Sequence, residues 1–516
     1  MKLSPRAYAI LWDAHAWAGV LSSLVLFVTF FLGAFALFAE ELSPWQEPTF
    51  RAPIAVSEAE AVRLAQQLAD AEAAFRPVWF GISLPTDEEP WLRLWRMTPE
   101  GPIKPLWVDP VSGRQLGERS DLGEFLNAMH FLEPLPGGVH VTGVASAVLV
   151  LLIGTGLLLQ LGRFVREFVQ FRPGASRRVF WSDAHKVIGV VSAPFLLIFA
   201  LTGGILWLDD WFEPAVVSTS LDGDPKAKER AVDWPAPPAA SGRPGGAPDL
   251  ARALALAKQR FPASEHHWFF FDNLGDENGH VHLPGESEGT LHAFTHVRVS
   301  REGALVWARE TGGGSAYTRV MDPLFGLHFA TWAGFPAKVL YALLSFLVAF
   351  GILAGNLLWL ERRRAKQPGR FDRVLARLTS GVCAGCALAV AAVFAANQLL
   401  PAELADRPRW EHTAFLVAWA VAVGGAFVDR SAALYARRLL LLSSVVLLAV
   451  PLIDAARTGR LPFASGSSFV LATEVGLVAL ALLLAGAARA IRRLQRTLPS
   501  TSPAAVDPEA PAPVPT

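Results

Sequence analysis

Two stretches of this chain repeat one pattern of tryptophan, aspartate, alanine and histidine, each at the start of an apolar segment. The first copy reads Trp12-Asp13-Ala14-His15 and the second reads Trp181-Ser182-Asp183-Ala184-His185. Each copy is followed by a second histidine, His130 or His328, which lies shortly before another apolar segment. Internal repeats constrain the architecture of a chain, because each copy is one structural unit. The sequence therefore predicts a duplicated helix–domain–helix unit with two histidines in each copy.

The apolar segments are long enough to cross a membrane. Hydrophobic residues make up 52% of the 516 residues and the formal net charge is zero, which is typical of a polytopic membrane protein. A helix rises about 1.5 Å per residue and the hydrocarbon layer is about 30 Å thick, so roughly twenty apolar residues span it. Eight such runs are predicted, at residues 16–38, 139–161, 187–208, 336–360, 378–400, 413–428, 439–453 and 469–491.

Lysine and arginine gather in alternate short loops, and loops rich in these residues stay in the cytoplasm. The basic residues lie before the first run, between the second and third, after the fourth, between the sixth and seventh, and after the eighth. We therefore expect both termini in the cytoplasm and the two long loops outside it. The first run is longer than the apolar part of a signal peptide, and cleavage would remove one repeat, so we expect an uncleaved anchor.

The two long loops have the composition of small α+β domains. In the first, Ser57 begins an amphipathic helix, and strands are predicted near 77–84, 91–97 and 103–108. In the second, a helix at 249–260 precedes strands near 267–272, 280–283, 293–300 and 304–309. Residues 222–248, rich in proline, glycine and alanine, are predicted to be a flexible linker. The two cysteines lie in the fifth run, so no disulfide is expected in these domains.

These patterns divide the chain into consecutive segments. They are the N-terminus with the first span (1–38), the first external domain (39–138), the second span (139–161), a cytoplasmic loop (162–186), the third span (187–208), the linker with the second external domain (209–335), the fourth span (336–360), a cytoplasmic loop (361–377), four additional spans (378–491) and a disordered cytoplasmic tail (492–516).

The four repeated histidines fall into two pairs on opposite sides of the membrane. His15 and His185 lie on the cytoplasmic side, and His130 and His328 on the other. If the repeats are related by an axis along the membrane normal, each pair converges inside a four-helix bundle. Haem iron needs two axial ligands on opposite faces, which two neutral imidazoles supply. Two such haem groups would let an electron cross the bilayer. The alternative is that each histidine sits at the interface and hydrogen-bonds to the backbone.

The residues around these histidines resemble the PepSY-associated transmembrane proteins, which include iron-regulated membrane proteins and ferric-siderophore reductases of bacterial inner membranes. The resemblance covers roughly residues 5–365. Its marks are Asp13-Ala14-His15 with Gly19, Asp183-Ala184-His185-Lys186 with Gly189, His130 followed by Gly138 and Gly143, and turns such as Asp109-Pro110-Val111-Ser112-Gly113. The last four spans lie outside it.

The resemblance implies a fold and a cofactor. It implies a polytopic α-helical membrane protein with a four-helix core from a duplicated helix–PepSY–helix unit, two small α+β periplasmic domains and four further helices. It implies two haem b groups, one on His15 and His185 near the cytoplasm and one on His130 and His328 near the periplasm. His140 is a weaker candidate ligand, because Lys338 stands where the fourth span would carry its match. We otherwise expect His140 to form a hydrogen bond near the periplasmic haem.

Other polar residues offer further sites. Half of the twelve histidines lie between His266 and His296, where a Zn²⁺ or Cu²⁺ site or a substrate contact is conceivable. Cys383 and Cys386 have redox spacing but lack the strand–helix context of thioredoxin-like sites, which favours helix packing. We expect Glu474 in the eighth span to be paired, protonated or near the interface. Asn356 and Asn397 are expected to form interhelical hydrogen bonds.

Two classes of function are therefore predicted. The first is an inner-membrane haem b oxidoreductase that passes electrons to a periplasmic ferric complex such as a ferric siderophore, with no catalytic residue beyond the haem groups. No dinucleotide or flavin motif is present, so a separate cytoplasmic or membrane electron donor is expected as a partner, besides membrane lipid. Nucleic acid is not expected as a partner. The second is a non-enzymatic membrane sensor or scaffold whose periplasmic domains bind a peptide, a metal or a protein.

Overall fold

The fold was analysed in a computed structural model, which describes residues 3–98, 101–116, 119–160, 170–220, 224, 235–287, 289–292, 294–364, 367–464 and 467–497. Its α-helices are α1 (Pro5–Ala36), α2 (Ser43–Gln46), α3 (Glu58–Ala73), α4 (Leu122–His130), α5 (Gly138–Gln160), α6 (Arg177–Val191), α7 (Ala193–Ser220), α8 (Leu250–Arg260), α9 (Ala316–Phe329), α10 (Gly334–Arg364), α11 (Arg370–Leu378), α12 (Gly385–Leu399), α13 (Arg407–Val428), α14 (Ala432–Thr458) and α15 (Ser468–Thr497). Its strands are β1 (Trp79–Ser83), β2 (Leu92–Thr98), β3 (Gly101–Val108), β4 (Gln115–Leu116), β5 (Trp268–Asp272), β6 (His280–Glu286), β7 (Phe294–Ser300) and β8 (Leu305–Arg309).

Eight candidate spans are present in the described part of the chain, as the sequence predicts. They lie at Pro5–Ala36, Gly138–Gln160, Ala193–Ala215, Thr331–Arg364, Arg370–Leu399, Arg407–Val428, Ala432–Thr458 and Ser468–Arg496. Several helices extend past the predicted apolar runs, since polar turns at the ends continue the hydrogen bonding of the helix. α15 continues to Thr497, into the predicted tail, and residues 498–516 lie outside the described residues.

The helices of the two repeats form the core of the membrane part. α1 packs against α5 and α10, α5 packs against α7, and α6 packs against α10. The sequence predicts a third span that is one continuous helix from 187 to 208, but the structure has a break within it. Helix α6 ends at Val191 and α7 begins at Ala193, and between them the Ser192 hydroxyl donates to the Ile188 carbonyl at 2.6 Å. This hydrogen bond competes with the regular helical pattern at the break.

The two external domains are not separate, because their strands form one antiparallel sheet. The strand order is β4-β3-β2-β1-β5-β6-β7-β8, so the copies meet where β1 pairs with β5. One sheet face packs on α3 and α8 around a shared apolar core, which includes Phe80, Ile82, Phe269, Val281 and Val297. The first helix begins at the predicted cap, Ser57, and the second is capped by Asp249, the first residue of its predicted range. The alternation of these strands directs every second side chain to the other face.

The sheet lies beyond one end of the span helices, which we name the domain side. The opposite end, where α1 begins, is the loop side.

The described part of the linker, 235–248, is fastened to the sheet. The Asp276 carboxylate accepts hydrogen bonds from the backbone N–H groups of Ser241 and Gly242, both at 2.9 Å. These donors contribute to lowering the pKa of Asp276 to about 2, together with the Asn278 N–H, which has the largest effect. The remainder of the predicted linker, apart from residue 224, lies outside the described residues.

Two short helices connect the sheet to the spans, and each carries a repeated histidine at or next to its last residue. α4 ends at His130, and α9 carries His328 one residue before its end. Two positions after each histidine the chain adopts positive φ, 60° at Leu132 and 56° at Ala330. Side chains other than glycine rarely adopt this conformation, because the left-handed region crowds the Cβ atom. The same sharp turn of the chain in both copies therefore fixes the position of each histidine relative to the span that follows.

Candidate cofactor sites

His15 and His185 come together on the loop side. His15 lies on α1 and His185 on α6, and the centres of their rings are 6.1 Å apart at an angle of 66°. Metal–imidazole bonds are about 2.0 Å long, so two rings ligating opposite faces of one metal ion have centres roughly 6 Å apart. The observed separation matches that spacing without any movement of the helices.

The hydrogen bonds of both rings define which nitrogen is left for a metal. His185 Nδ1 lies 2.9 Å from the Gly351 carbonyl, which can only accept, so Nδ1 carries the proton. His15 Nδ1 lies 3.0 Å from Thr155 Oγ1, whose own proton is donated to the Leu151 carbonyl at 2.7 Å. His15 Nδ1 is therefore also the donor. In both rings the Nε2 lone pair remains, and an Nδ1–H bond to oxygen is the usual support of a metal-bound histidine.

His130 and His328 repeat this arrangement on the domain side. His130 Nδ1 donates to the Thr29 carbonyl at 2.5 Å. His328 Nδ1 lies 2.5 Å from Thr202 Oγ1, which donates its proton to the Ile198 carbonyl. Both rings therefore have the same tautomer as the loop-side pair, with Nε2 unprotonated.

Aromatic contacts link the surroundings of these two histidines. The Phe199 ring lies 4.7 Å from His328 and 6.2 Å from Phe30, which follows Thr29 in α1. The Thr29 carbonyl accepts the His130 Nδ1–H. His130 and His328 therefore both border the apolar core to which α1 and α7 contribute.

Glycines on neighbouring helices make room for three of the four imidazoles. A Cβ atom at Gly33 would lie 2.8 Å from His130, one at Gly156 would lie 3.2 Å from His15, and one at Gly355 would lie 3.1 Å from His185. Contacts this short force either the ring or the helix to move. Each glycine therefore acts as a cradle that only a residue without a side chain provides.

The loop-side pair lines a cavity of about 350 Å³ with an apolar interior and a basic rim. Leu26, Leu149 and Ile153 are among its apolar walls. Lys186, Arg362 and Arg363 also line it, and the two arginines stack over Trp12 and Trp359 at 4.3 and 3.2 Å from the ring centres. A flat apolar macrocycle with carboxylate substituents fits such a cavity, since the cations offer charge-assisted hydrogen bonds to its carboxylates. The donor set and the cavity together suit haem.

The repeated aspartates are not equivalent. Asp183 is fully buried and binds the Arg172 guanidinium at 2.9 Å, while Lys186 lies 3.6 Å away. Asp13 is exposed. In the second copy the aspartate therefore fastens the preceding loop to α6, two residues before His185. The same residue type in the first copy lines the cavity.

His140 has a different environment from the four paired histidines. Its Nδ1 lies 3.4 Å from the Trp207 carbonyl, a long hydrogen bond, and its ring lies 5.1 Å from that of Trp211. It contacts the third span, as a hydrogen-bonding residue would. The nearby group Asp209, Asp210 and Glu213 has three carboxylates close enough to share a metal ion, but two of these residues are exposed and acidic groups of this kind commonly bind none.

Two histidines of the second external domain, His282 and His296, lie in a row of aromatic rings across the sheet. His282 Nε2 lies 3.2 Å from His296 Nδ1, and the row continues to Phe270 on β5 and to Trp307 on β8. Burial, followed by the charges of Arg298 and Arg309, lowers the pKa of His282. Two guanidinium groups beside this pair oppose the binding of a metal cation, so the geometry disfavours the Zn²⁺ or Cu²⁺ site that the sequence makes conceivable.

The other predicted polar residues have structural partners. Cys383 and Cys386 are buried free thiols at a π-helical turn, 379–384, that leads into α12. Glu474 is buried and accepts the Phe463 N–H at 2.6 Å. Asn356 donates to Thr379 at 3.4 Å, and Asn397 joins a buried network described below. The interhelical hydrogen bonds predicted for the two asparagines are thus confirmed.

Sequence reasoning missed the residues that hold the imidazoles. Thr29, Thr155 and Thr202 and the three cradle glycines lie inside apolar runs, where they read as ordinary helix-packing residues. A usable signal is present in the sequence. The first span of each repeat contains a threonine, Thr29 in the first copy and Thr202 in the second. Only the fold shows that one acts through its carbonyl and the other through its hydroxyl.

Together, the spans, the joined sheet and the four histidines define a multi-pass membrane protein with a duplicated core. The sequence profile described as the PepSY-associated TM region matches residues 12–362. The chain belongs to this family, and helices α11–α15 lie beyond the matched region. The chain is also 31% identical over 297 residues to the uncharacterized protein PA4219 of Pseudomonas aeruginosa, which covers 56% of this chain and 74% of that protein.

Proposed function

We propose that this chain is a haem b oxidoreductase that carries electrons from the loop side to an acceptor on the domain side. The proposal rests on the common tautomer of the four repeated histidines, each with Nδ1–H donated to an oxygen and Nε2 left as a ligand. Haem b, when bound, supplies one-electron redox chemistry at its iron. His15 and His185 would hold one group and His130 and His328 the other.

The remaining residues of the core would orient the two groups and exclude water. On the loop side, the cradle glycines would leave room for the imidazoles that hold the group, and the basic rim would bind its carboxylates. Between the two histidine pairs, the rings of Phe30, Phe195, Phe199 and Tyr341 contact one another at centre separations of 4.4 to 6.4 Å. This aromatic packing keeps the region dry. No side chain has to donate or remove a proton, because the reaction is electron transfer between bound groups.

We further propose that the loop side is the cytoplasm and the domain side is the periplasm of a bacterial inner membrane. The loop-side arginines support this orientation, because cytoplasmic loops retain positive charge. A separate donor would supply electrons at the loop side. The acceptor would be a ferric complex, such as a ferric siderophore, whose iron takes one electron and leaves as the more weakly chelated ferrous ion.

The absorption spectrum of the purified protein tests the proposal. Protein expressed with an ample haem supply is expected to show a b-type spectrum and about two haem groups per chain, one for each histidine pair. A colourless protein would overturn the proposal and favour the sensor or scaffold function. If haem is present but no ferric complex re-oxidises it faster than buffer does, the siderophore assignment fails and electron transfer to another acceptor remains.

Replacing Gly33 with alanine is expected to disturb the domain-side haem alone. The new Cβ atom would lie 2.8 Å from two ring atoms of His130, so the imidazole must shift. Alanine otherwise favours a helix by about 1 kcal/mol relative to glycine, so helix weakening does not explain a loss. A redox titration should show one changed and one unchanged haem. Gly154→Ala in the second span is the matched control, because its Cβ atom would meet nothing within 4 Å. Equal effects of both variants would contradict the cradle.

A further inference from the structure

The helix that ends at His130 is too short to hold its own orientation. α4 has nine residues, and an isolated helix of that length is marginal in water. The side chain of its N-cap, Asp121, accepts no capping hydrogen bond from the first turn. The direction of α4, and with it the position of the His130 ring, must therefore be set by contacts with other parts of the chain.

A buried network of hydrogen bonds connects the C-terminal helices to the residue that precedes α4. Asn397 of α12 donates to Ser120 Oγ at 2.8 Å and to Glu411 Oε1 at 3.1 Å. Ser120 donates to the other oxygen of Glu411, at 2.7 Å, and Arg407 Nε lies 3.1 Å from Glu411 Oε1. These four side chains are at most 2% exposed. Displacing Ser120 or Asn397 would leave buried polar atoms of the other members without partners, so the network favours one geometry.

A second contact holds the first turn of the helix. His412 Nε2 of α13 lies 2.8 Å from the Asp121 carboxylate, and the His412 ring stacks on Phe125 at 4.0 Å with an angle of 13°. Gln46 completes the attachment, because its side-chain oxygen accepts the Gly123 N–H at 2.9 Å and its amide donates to the Ser120 carbonyl at 3.1 Å. The loop after α1, the start of α4 and the helices α12 and α13 thus form one unit.

The corresponding helix of the second repeat has a cap of its own. In α9, which carries His328, Ser315 Oγ accepts the Thr318 N–H at 3.2 Å. Both helices are fastened to the sheet, since Asp322 of α9 pairs with Arg309 of β8 at 3.5 Å and Glu124 of α4 pairs with Arg93 of β2. α4 also packs on α1, and the polar contacts with α12 and α13 are a further support that holds its uncapped start.

We propose that the C-terminal helices position His130 as a haem ligand, with Asn397, Glu411 and His412 as the positioning residues. The inference rests on the proposed haem function for its consequence, although not for its geometry. It gives a role to helices that lie beyond the family match at residues 12–362. Supporting residues of this kind act on a metal site through the orientation of its ligand.

Hydrogen–deuterium exchange in haem-free protein tests the geometry. Asn397→Ala is expected to speed amide exchange in 122–130 roughly tenfold while exchange in 316–329 stays unchanged. Tyr435→Phe is the matched control. It removes a hydrogen bond from Tyr435 of α14 to the Ala422 carbonyl of α13, at a place away from α4. If Asn397→Ala does not fold, His412→Phe is tested in its place. This change keeps an aromatic ring on Phe125 and removes only the hydrogen bond to Asp121. Unchanged exchange in 122–130, or equal acceleration in both segments, would overturn the proposal.

The haem-loaded protein gives a second readout that general loosening of the fold would not produce. In Asn397→Ala and His412→Phe, one of the two haem groups is expected to shift in potential and lose part of its low-spin signal, while the other keeps both. Equal shifts in both groups, or in neither, would contradict the positioning role. If the native protein binds no haem, the proposed function fails, and the exchange experiment still decides whether the C-terminal helices hold α4.

Discussion

Replacing His185 with alanine is expected to lower the haem content from about two groups per chain to about one. The His185 ring stands 6.1 Å from His15, and its Nδ1–H is already fixed on the Gly351 carbonyl. The substitution leaves His15 as a single ligand, and one imidazole does not supply both axial bonds of a low-spin haem. The pyridine haemochrome assay measures the loss, and a redox titration identifies the potential that disappears.

The same loss is expected for His15→Ala, because either change breaks the same pair. His140→Ala is the control, since that ring contacts the third span through a 3.4 Å hydrogen bond and belongs to neither pair. Haem content that falls with His140→Ala and stays complete with His185→Ala would show that the pairing is wrong. A loss of both groups from His185→Ala, with normal folding, would mean that the sites are not independent.

The membrane architecture could be predicted from the sequence because its signals are local. Each span is a continuous apolar run, and the repeated histidines stand beside these runs in both copies. The break at Ser192 could not be predicted, since a serine in an apolar helix normally bonds within it without ending it. The helices α4 and α9 were missed for a similar reason: each is a short segment with no apolar run of its own.

The joining of the two external domains could not be predicted because edge pairing is a long-range property. Strands β1 and β5 each read as the first strand of a small domain, and nothing in their composition shows that they pair with each other. Gly81 on β1 is the residue that permits the approach, since a Cβ atom there would lie 2.9 Å from the Phe270 ring. The consequence is a single eight-stranded sheet shared by both repeats rather than two independent domains.

The candidate site shows the same division between local and distant information. The four repeated histidines are apparent from repetition alone, whereas their hydrogen-bond partners come from other helices. Asn397 was recognised only as an interhelical hydrogen-bonding residue, and its partners Ser120 and Glu411 are separated from it in sequence and lack any common motif. Polar residues inside apolar helices are informative, but the groups they serve become visible only when the helices are packed.

Replacing His328 with alanine is expected to stop electron delivery to the domain side while the loop-side haem can still be reduced. His328 is fixed through Thr202 and lies against Phe199, so its loss removes one ligand of the exit site and leaves the His15–His185 pair untouched. Protein in sealed vesicles, oriented with the domain side outward and reduced from within, should reduce an external, impermeant ferric complex only as fast as empty vesicles do. The absorption of the loop-side haem should still change on reduction, and His140→Ala should behave as the native chain. Native rates with His328→Ala would place the exit elsewhere and separate the domain-side histidines from the electron path.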